Sequence, residues 1–411
     1  MNEEHFYGVG DRVVDTLLLY ALSDLVKAAD PRSTFSWNPG GEIIFSLYSH
    51  KPEIKDEMLN VLKENARSIS IANRLDFKLN VGKEWKVNQL ACLYCRGNKK
   101  GGLTKEEEEA GERVKLACKI GKCGKVVIPA YAVFFQNLVK LKSIDWLNAY
   151  CISKERIEDY ETLYLGLSPF WSKGIRQWNA QWEGQSSYVP SAIQVLLLYA
   201  LGKYAIIIPP GKSGMLIELI FSPLLGYHEY KEASRMMSLV RRLVMRFNRD
   251  VRNIRMGELP INIVPLVMLS RMDLPSITEI SRGRLELLLI AYDMDRGHPK
   301  NPRGYEEQSL FHIANFYSRL GSSFWNFKCM IEDLCIIRGP LWNEFKNRIL
   351  DILIDFFYAI SGRNLWRLND AVFKAEKLAE ELLKRGHRVY LPSRDSILDA
   401  HRAIESVRSV S

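Results

Sequence analysis

The chain has no long hydrophobic run. Across its 411 residues no window of about 18 uninterrupted apolar residues occurs, and a membrane-spanning helix needs a window of roughly that length. The opening stretch, MNEEHFYGVG, is acidic and lacks the apolar segment of a secretory signal peptide. No internal repeat or low-complexity segment is visible either. We therefore expect a cytoplasmic protein that has no membrane contact.

Cysteine is sparse, and its number is odd. Three of the 7 cysteines, Cys151, Cys329 and Cys335, have no other cysteine close to them in sequence. A framework of disulfides, as found in small secreted proteins, uses an even number of cysteines. The cysteine content therefore indicates a reducing compartment.

The charge imbalance is moderate. Lys and Arg number 57 against 48 Asp and Glu, which gives a net charge of +9 and a pI near 9.0. The composition, 47% hydrophobic and 26% charged, is that of a globular protein with length for a large core. An excess of this size favours a polyanionic partner only where the positive charges are clustered.

Four of the cysteines form two close pairs, Cys92/Cys95 and Cys118/Cys123, separated by a Lys-, Gly- and Glu-rich run. Two short pairs of thiolates are the usual way to supply the four sulfurs of a tetrahedral Zn²⁺ site. A redox CxxC pair or coincidental thiols are the alternatives, but a redox site needs only one pair. We predict a structural zinc ion held by these four cysteines.

The order of helix and strand patterns predicts an α+β fold. Residues 1–300 are predicted to form a mixed domain with β-hairpins and a zinc-binding insertion at 92–123, and residues 301–411 a helical C-terminal bundle. The predicted hairpins pair Ser33–Trp37 with Glu42–Ser49, Arg74–Leu79 with Glu84–Val87, and Tyr204–Pro209 with Met215–Phe221, and a returning strand is expected at Val126–Pro129. The predicted helices are Asp11–Ala29, Pro52 to about Arg67, most of Tyr131–Tyr150, Glu306–Leu320, Trp342–Ile360, Leu365–Lys384 and Ser396–Val407.

A predicted helix near residues 232–256 carries clustered positive charge, a local net of +6 over residues 231–256. At helical spacing, four arginines fall within one narrow arc beside an apolar face, and two more lie on the other flank of that face. The arc holds Arg235, Arg242, Arg246 and Arg249, the apolar face Val240, Leu243, Val244, Phe247 and Val251 among others, and the flank Arg241 and Arg252. Such a row of arginines can follow a phosphate backbone; a solvated face paired with acidic segments is the alternative.

Three further motifs have a chemical and a structural interpretation. Trp171, Trp178 and Trp182 share a helical face, which favours a core or subunit interface over base stacking. The segment PPGKSG lacks the first glycine of a P-loop and is better explained as a hairpin turn. Asp293 and Asp295 could hold a divalent metal, but a DxD beside glycine and proline is more often a turn.

With its cysteine quartet inside an α+β domain, followed by basic helices and a helical C-terminus, the chain resembles one family. It is similar in organisation to the large subunit of the archaeal type I-A CRISPR interference (Cascade) complex, of the Cas-eight superfamily. The resemblance is carried by Cys92, Cys95, Cys118 and Cys123 and by the order of hairpins and helices. It implies a non-enzymatic component of RNA-guided DNA surveillance, placed at the 5′ end of the guide RNA.

The same resemblance implies partners. They are the guide RNA, target DNA near the protospacer-adjacent motif, other subunits of the complex, and a recruited helicase-nuclease. The basic tip of the insertion, Asn98, Lys99 and Lys100, is a candidate for contact with nucleic acid. Two other classes stay open: a metal-dependent nuclease or transposase-like enzyme using Asp293 and Asp295, and a zinc-stabilised protein scaffold without nucleic acid.

Overall fold

The computed structural model describes part of the chain. The described residues are 2–7, 12–37, 42–48, 53–71, 78–80, 127–129, 134, 137–138, 141–144, 151–152, 160–162, 187–208, 215–223, 237–245, 259–282, 285–295 and 298–408.

The described elements are helices and antiparallel strands. The helices are α1 (Arg12–Ala29), α2 (Ile54–Ile71), α3 (Ser191–Tyr204), α4 (Val264–Ser270), α5 (Leu274–Arg282), α6 (Phe311–Arg319), α7 (Phe324–Ile336), α8 (Gly339–Ser361), α9 (Leu365–Lys384) and α10 (Arg394–Arg408). Residues 237–245 are also helical. The strands are β1 (Asn2–Tyr7), β2 (Thr34–Trp37), β3 (Glu42–Leu47), β4 (Lys78–Asn80), β5 (Val127–Pro129), β6 (Cys151–Ile152), β7 (Tyr160–Thr162), β8 (Ser187–Pro190), β9 (Ala205–Ile208), β10 (Met215–Pro223), β11 (Leu285–Asp295) and β12 (His298–Ser309).

The N-terminal elements follow the predicted order. Strands β2 and β3 form the predicted hairpin, and β1 pairs with the other edge of β3, so the sheet order is β1-β3-β2. Helix α1 agrees with the predicted helix over Asp11–Ala29 and packs against α2 and α3. Almost every side chain from Val13 to Val26 is buried, because α1 has neighbours on several sides. Its Tyr20 hydroxyl donates to the carbonyl oxygen of Phe221 in β10 at 2.5 Å.

Strands β4 and β5 enclose the cysteine-rich segment in sequence. They pair antiparallel, with Asn80 opposite Val127, so the two ends of residues 81–126 lie side by side. The returning strand predicted at Val126–Pro129 is therefore confirmed. The other half of the hairpin predicted there, Glu84–Val87, lies outside the described residues. Within Tyr131–Tyr150, residues 134, 137 and 138 are helical and 141–144 are not.

Strands β9 to β12 form a four-stranded antiparallel sheet of order β12-β11-β10-β9. The predicted hairpin is confirmed, because β9 pairs with β10 through the register Ile208 opposite Ile217. The segment 209–214 thus joins two antiparallel strands, whereas a P-loop leads from a strand into a helix. This connection agrees with the interpretation of PPGKSG as a hairpin turn.

The hairpin of β11 and β12 was not predicted from the sequence. Strand β11 is a leucine-rich run whose residues favour helix and strand alike, and β12 is polar and contains Pro299 and Pro302. Proline is tolerated here because, among the described strands, β12 lies at the edge of this sheet and pairs with β11 alone. The predicted helix start at Glu306 was wrong: the strand continues to Ser309, and α6 begins at Phe311. Asp293 and Asp295 accordingly lie on β11 and not in a turn.

The C-terminal region is helical, as predicted. Helices α8, α9 and α10 agree with the predicted ranges to within about three residues, whereas α7 was missed. The rings of Phe316, Phe327 and Phe356 pack together where α6, α7 and α8 meet. Residue 300, the predicted domain boundary, lies inside β12, and buried side chains on both sides of it belong to one hydrophobic cluster.

The turns that end α8 and α9 have the same hydrogen-bonding pattern. After α9, Gly386 takes a φ of +78°, and the amides of Gly386 and His387 donate to Leu383 and Leu382. After α8, Gly362 is the C-cap residue, and the next residue, Arg363, takes the left-handed conformation with a φ of +51°. Asn364 then caps α9 by accepting from the amide of Trp366 at 3.0 Å.

No helix in the described part of the chain is long and apolar enough to cross a membrane. The described residues thus form a mixed fold of helices and small antiparallel sheets with a helical C-terminal region.

Candidate nucleic-acid interface

The helix at residues 237–245 is amphipathic. Val240, Leu243 and Val244 are buried, which confirms the described part of the predicted apolar face, and Leu239 is buried beside them. Arg241 and Arg242 are exposed. The buried side fixes the helix on the body of the protein, and the exposed side presents two guanidinium groups to solvent.

Arg242 has a carboxylate partner. Its Nη2 donates a hydrogen bond to Oε2 of Glu279 on α5 at 2.7 Å, and the two side chains are 64% and 52% exposed. An exposed ion pair of this kind contributes between zero and about 1 kcal/mol to the free energy of unfolding. Arg242 therefore lies on a solvated face and is paired with an acidic residue, which is the alternative interpretation from the sequence. The pair has little effect on the free energy of unfolding.

Arg241 points to a different neighbour. Its side chain lines a pocket of about 150 Å³ between α1, the β1-β3-β2 sheet, the end of α3 and the 237–245 helix. Among the described residues, no hydrogen bond or ion pair to Arg241 is found. We call this cavity the Ser23 pocket; its lining residues are Ser23, Asp24, Lys27, Ser33, Phe35, Phe45, Tyr204, Met237, Ser238 and Arg241.

A charged cluster lies beside the Ser23 pocket, and two of its members, Asp24 and Tyr204, line the pocket. Asp24 on α1 accepts hydrogen bonds from the Tyr199 hydroxyl, at 2.5 Å, and from Nζ of Lys203, both on α3. Lys203 Nζ also lies 3.0 Å from the Tyr199 hydroxyl and within 5.8 Å of the Tyr204 ring centroid. The aspartate and lysine side chains are only 15% and 17% exposed. A buried carboxylate and a buried ammonium group therefore neutralise each other.

The pKa values of this cluster reflect its burial and its charges. Burial alone raises the pKa of the Asp24 carboxyl, but the Lys203 charge and hydrogen bonds from Lys203, Tyr199 and Tyr204 lower that pKa below its ordinary value. Burial first, and the Asp24 charge second, raises the pKa of the Tyr199 and Tyr204 phenols. Both tyrosines therefore stay protonated and act as hydrogen-bond donors.

One polar atom of the pocket lacks a partner. Ser23 is 5% exposed, and its Oγ forms no hydrogen bond within the described structure. An unsatisfied buried hydroxyl costs about 1–3 kcal/mol, so most such groups in folded proteins are paired.

Most of the residues proposed from sequence lie outside the described residues. This applies to the zinc ligands Cys92, Cys95, Cys118 and Cys123, to the tip Asn98, Lys99 and Lys100, to Arg235, Arg246, Arg249 and Arg252, and to Trp171, Trp178 and Trp182. Arg241 and Arg242 are the described members of the arginine set. They lie on the same helix but have different neighbours, namely the Ser23 pocket and Glu279.

Asp24, Lys203 and Ser23 were not predicted from the sequence. A signal was present, since Asp24 interrupts the apolar run LLLYALSDLV and Lys203 follows VLLLYALG. A single charged residue within an otherwise buried helix needs a partner of opposite charge. Two such helices in one chain predict a buried ion pair between them.

Comparison with protein-family models and with curated proteins found no match for this chain. Among the described residues, no group of three or more His, Cys, Asp or Glu side chains is arranged to hold a metal ion.

Proposed function

We propose that this protein is the non-enzymatic large subunit of an RNA-guided DNA surveillance complex. In this role it contacts guide RNA and target DNA near the protospacer-adjacent motif, together with other subunits and a recruited helicase-nuclease. The observation that carries the proposal is the amphipathic helix at 237–245, whose apolar side is buried and whose Arg241 and Arg242 are exposed. Arginine keeps its charge and offers paired donors to phosphate oxygens.

The pairing of Arg242 with Glu279 is compatible with this role. Both side chains are more than half exposed, so the carboxylate can be exchanged for a phosphate group without uncovering a buried charge. Such contacts to the backbone position a nucleic acid and carry no sequence information. Recognition of sequence would then rest on guide pairing and on a short flanking motif.

The cysteine-rich segment is proposed to bind one Zn²⁺ through Cys92, Cys95, Cys118 and Cys123. The pairing of β4 with β5 supports this, because it brings both ends of residues 81–126 to one place, Asn80 opposite Val127. A loop whose two ends are already held together loses less conformational entropy when a cross-link forms within it. Four thiolates on a zinc ion supply a cross-link of this kind.

The test is purification of the protein from its native cells followed by analysis of bound nucleic acid. We expect short RNA of uniform length to accompany the protein, together with other polypeptides in fixed ratio. The isolated chain should bind nucleic acid without cleaving it. Protein free of RNA and of partner subunits would overturn the proposal, as would metal-dependent cleavage of DNA that is lost on replacing Asp293.

A further inference from the structure

The β1-β3-β2 sheet has a buried inner face and a solvent-accessible outer face. On the inner face, Phe45 contacts the rings of Phe6 and Phe35. Phe6 and Phe45 belong to the hydrophobic core together with most of α1. Successive residues of a strand point to opposite faces, so Ile44 and Ser46 point outward, and both are partly exposed. The outer face therefore meets solvent, and its side chains can contact a partner.

At one end of the outer face, an aromatic ring and a guanidinium group are in contact. Arg32 lies just before β2 and Tyr48 just after β3, where the two antiparallel strands end side by side. The guanidinium carbon of Arg32 lies 4.8 Å from the centroid of the Tyr48 ring, which is a cation–π contact. Tyr48 is 65% exposed although Arg32 covers part of its ring, so most of the remaining ring surface meets solvent. We call this pair the Arg32–Tyr48 platform.

The buried carboxylate of Asp30 fixes the backbone of the platform. Its Oδ2 accepts a hydrogen bond from the amide of Tyr48 at 2.9 Å, and its Oδ1 accepts one from the amide of Arg32 at 3.3 Å. Asp30 is 4% exposed, and its own amide donates to the carbonyl oxygen of Val26 near the end of α1. A partner therefore meets a preorganised surface, which lowers the entropy cost of binding. Because these bonds use backbone amides, substitution of either platform side chain leaves them in place.

The positive charge of the platform is not neutralised by a carboxylate. Arg32 is exposed, and within the described part of the chain its guanidinium group forms no hydrogen bond or ion pair. A comparable contact joins Arg367 to the Tyr358 ring at 5.3 Å, but Arg367 also donates to Asp355 at 2.9 Å. The platform therefore keeps the donors and the charge that the C-terminal pair has already used.

The platform and the 237–245 helix lie close together. Ser33, directly after Arg32 in sequence, lines the Ser23 pocket together with Arg241. Strand β2 is the edge of the sheet on this side, so the two arginines lie near one edge. Glu3, an acidic residue of the outer face, lies on β1 at the opposite edge. An anionic strand that crosses the β2 edge passes Arg241 and Arg32, whereas Glu3 lies farther away.

We propose that the Arg32–Tyr48 platform binds an unpaired nucleotide of a single strand, with the base on the open side of Tyr48 and a backbone phosphate at Arg32. Every base has a π-face that an aromatic ring can stack on, and arginine offers paired donors to phosphate oxygens. Several RNA-binding domains use the solvent-facing side of a sheet in this way. The choice of nucleic acid as the partner rests on the proposed function.

The test measures binding of short unstructured single strands, of deoxythymidine and of uridine, and of duplex DNA by fluorescence anisotropy. Tyr48→Ala should weaken single-strand affinity about fivefold or more, the contribution of one stacked base, and leave duplex affinity within about twofold. Tyr48→Phe keeps the ring and should keep wild-type affinity. Arg32→Gln should weaken single-strand binding and lower the slope of log affinity against log salt by about 0.7. Because these side chains are exposed, the urea midpoints should stay near the wild-type value.

Matched controls lie in the C-terminal region. Tyr358→Ala removes a 44% exposed ring that also has an arginine over it, Arg367, but one already paired with a carboxylate. It should change single-strand affinity by no more than about twofold. Arg348→Gln removes an exposed arginine paired with Glu381 and should leave the salt slope unchanged.

Some outcomes would overturn the platform assignment. Wild-type single-strand affinity in both Tyr48→Ala and Arg32→Gln would do so, whatever the Arg242 variants show. Equal losses for single strand and duplex in Tyr48→Ala would overturn stacking of an unpaired base. A wild-type protein that binds no strand, together with loss of a co-purified polypeptide in Tyr48→Ala, would assign the outer face to a protein partner and overturn the inference.

Other outcomes separate the platform from the proposed function. Single-strand binding that depends on Tyr48 and Arg32 but not on Arg242 would support the platform and overturn the 237–245 helix as a nucleic-acid contact. Binding that depends on the platform, in a protein that carries no short guide RNA in its native cells, would support the platform and overturn the proposed function.

Discussion

Arg242 donates a hydrogen bond from Nη2 to Oε2 of Glu279 at 2.7 Å, which ties the helix at 237–245 to α5. The contact lies in solvent, so its contribution to the free energy of unfolding is small. It nevertheless places a carboxylate where a phosphate group would have to bind. Substitutions in this pair therefore test directly whether the helix at 237–245 contacts nucleic acid.

Glu279→Gln should increase affinity for nucleic acid, because it removes a competing negative charge from Arg242. Arg242→Ala should decrease affinity and reduce the slope of log affinity against log salt by about 0.7–0.9 for one lost phosphate contact. With Arg246→Ala added, the slope should fall by roughly 1–2 units in total, nearly equally for all DNA sequences. Affinity measured at several salt concentrations gives these slopes.

Arg348→Ala is the control for the single Arg242→Ala variant, since it removes another solvent-accessible arginine, from the pair with Glu381 between α8 and α9. It changes net charge by the same amount and should leave the slope unchanged. The proposed contact with phosphate would be contradicted if the folded Arg242→Ala/Arg246→Ala protein kept the wild-type slope and Glu279→Gln kept the wild-type affinity. Arg242 would then serve only in a surface ion pair.

Purified protein should contain one equivalent of zinc per chain. Removal of the metal should unfold the cysteine-rich segment, because binding energy at a four-thiolate site is folding energy. Serine replacement of Cys92 or Cys118 should abolish the metal, whereas serine replacement of Cys329, a thiol on α7, should not. Elemental analysis with thiol titration measures this. Less than about half an equivalent of zinc, with four reactive thiols, contradicts the prediction.

The tip of the insertion is predicted to contribute to recognition of the flanking DNA motif. An Asn98→Ala/Lys99→Ala/Lys100→Ala protein should bind targets with correct and incorrect motifs more equally than the wild-type protein, since groove contacts carry sequence information. Zinc content should not change. Competition binding with paired targets measures the ratio of affinities. A wild-type ratio in this variant excludes the tip from motif reading.

The Asp24–Lys203 pair should be costly to break from one side. Asp24→Asn leaves a mostly buried ammonium group without its carboxylate and should lower the free energy of unfolding by about 3 kcal/mol. Adding Lys203→Met should recover most of this loss, because an apolar side chain of similar length replaces the charge. Urea denaturation of the three proteins measures both effects. Equal stability of wild type and Asp24→Asn would contradict the pairing.

The same pair has a pH signature. The pKa of Asp24 is lower in the folded state than its ordinary value of about 3.9. Its contribution to stability is therefore fully present above about pH 4 and is lost as the pH falls through the lowered folded-state pKa. The difference in free energy of unfolding between wild type and Asp24→Asn should shrink over that interval.

Local sequence patterns were enough for elements whose residues agree on one structure. Helix α1 has apolar residues at helical spacing, and the hairpin of β9 and β10 has a Pro- and Gly-rich turn between two β-branched runs. Helices α8 and α9 combine an apolar stripe with a stop at Gly362 and Gly386. At these places propensity, periodicity and turn chemistry indicate the same element.

Strand β12 shows where local patterns fail. Its residues PKNPRGYEEQ are polar, include two prolines and end in good helix formers, so they resemble a loop entering a helix. The strand exists because β11 offers a long open edge, with Glu286 opposite Ser309 and Asp295 opposite His298. That edge is known only once the sheet is assembled.

The helix at 237–245 also combines features that local sequence predicts with one that depends on the tertiary structure. The helical spacing of the apolar residues was enough to predict a buried face with Val240, Leu243 and Val244 and an exposed face with the arginines. It could not choose between phosphate and carboxylate as the partner of Arg242, since Glu279 is remote in sequence and adjacent only in the fold.

What the sequence determined by itself was the set of amphipathic helices and hairpins, the excess of basic residues and the spacing of the four cysteines. Only the tertiary structure decided that Asp24 meets Lys203, that Arg242 meets Glu279, and that Ser23, Phe35 and Arg241 line one pocket. The reason is physical. Periodicity and propensity act over a few residues, whereas these contacts join α1 to α3, the 237–245 helix to α5, and α1 to the N-terminal sheet, and so depend on how the helices and sheets pack.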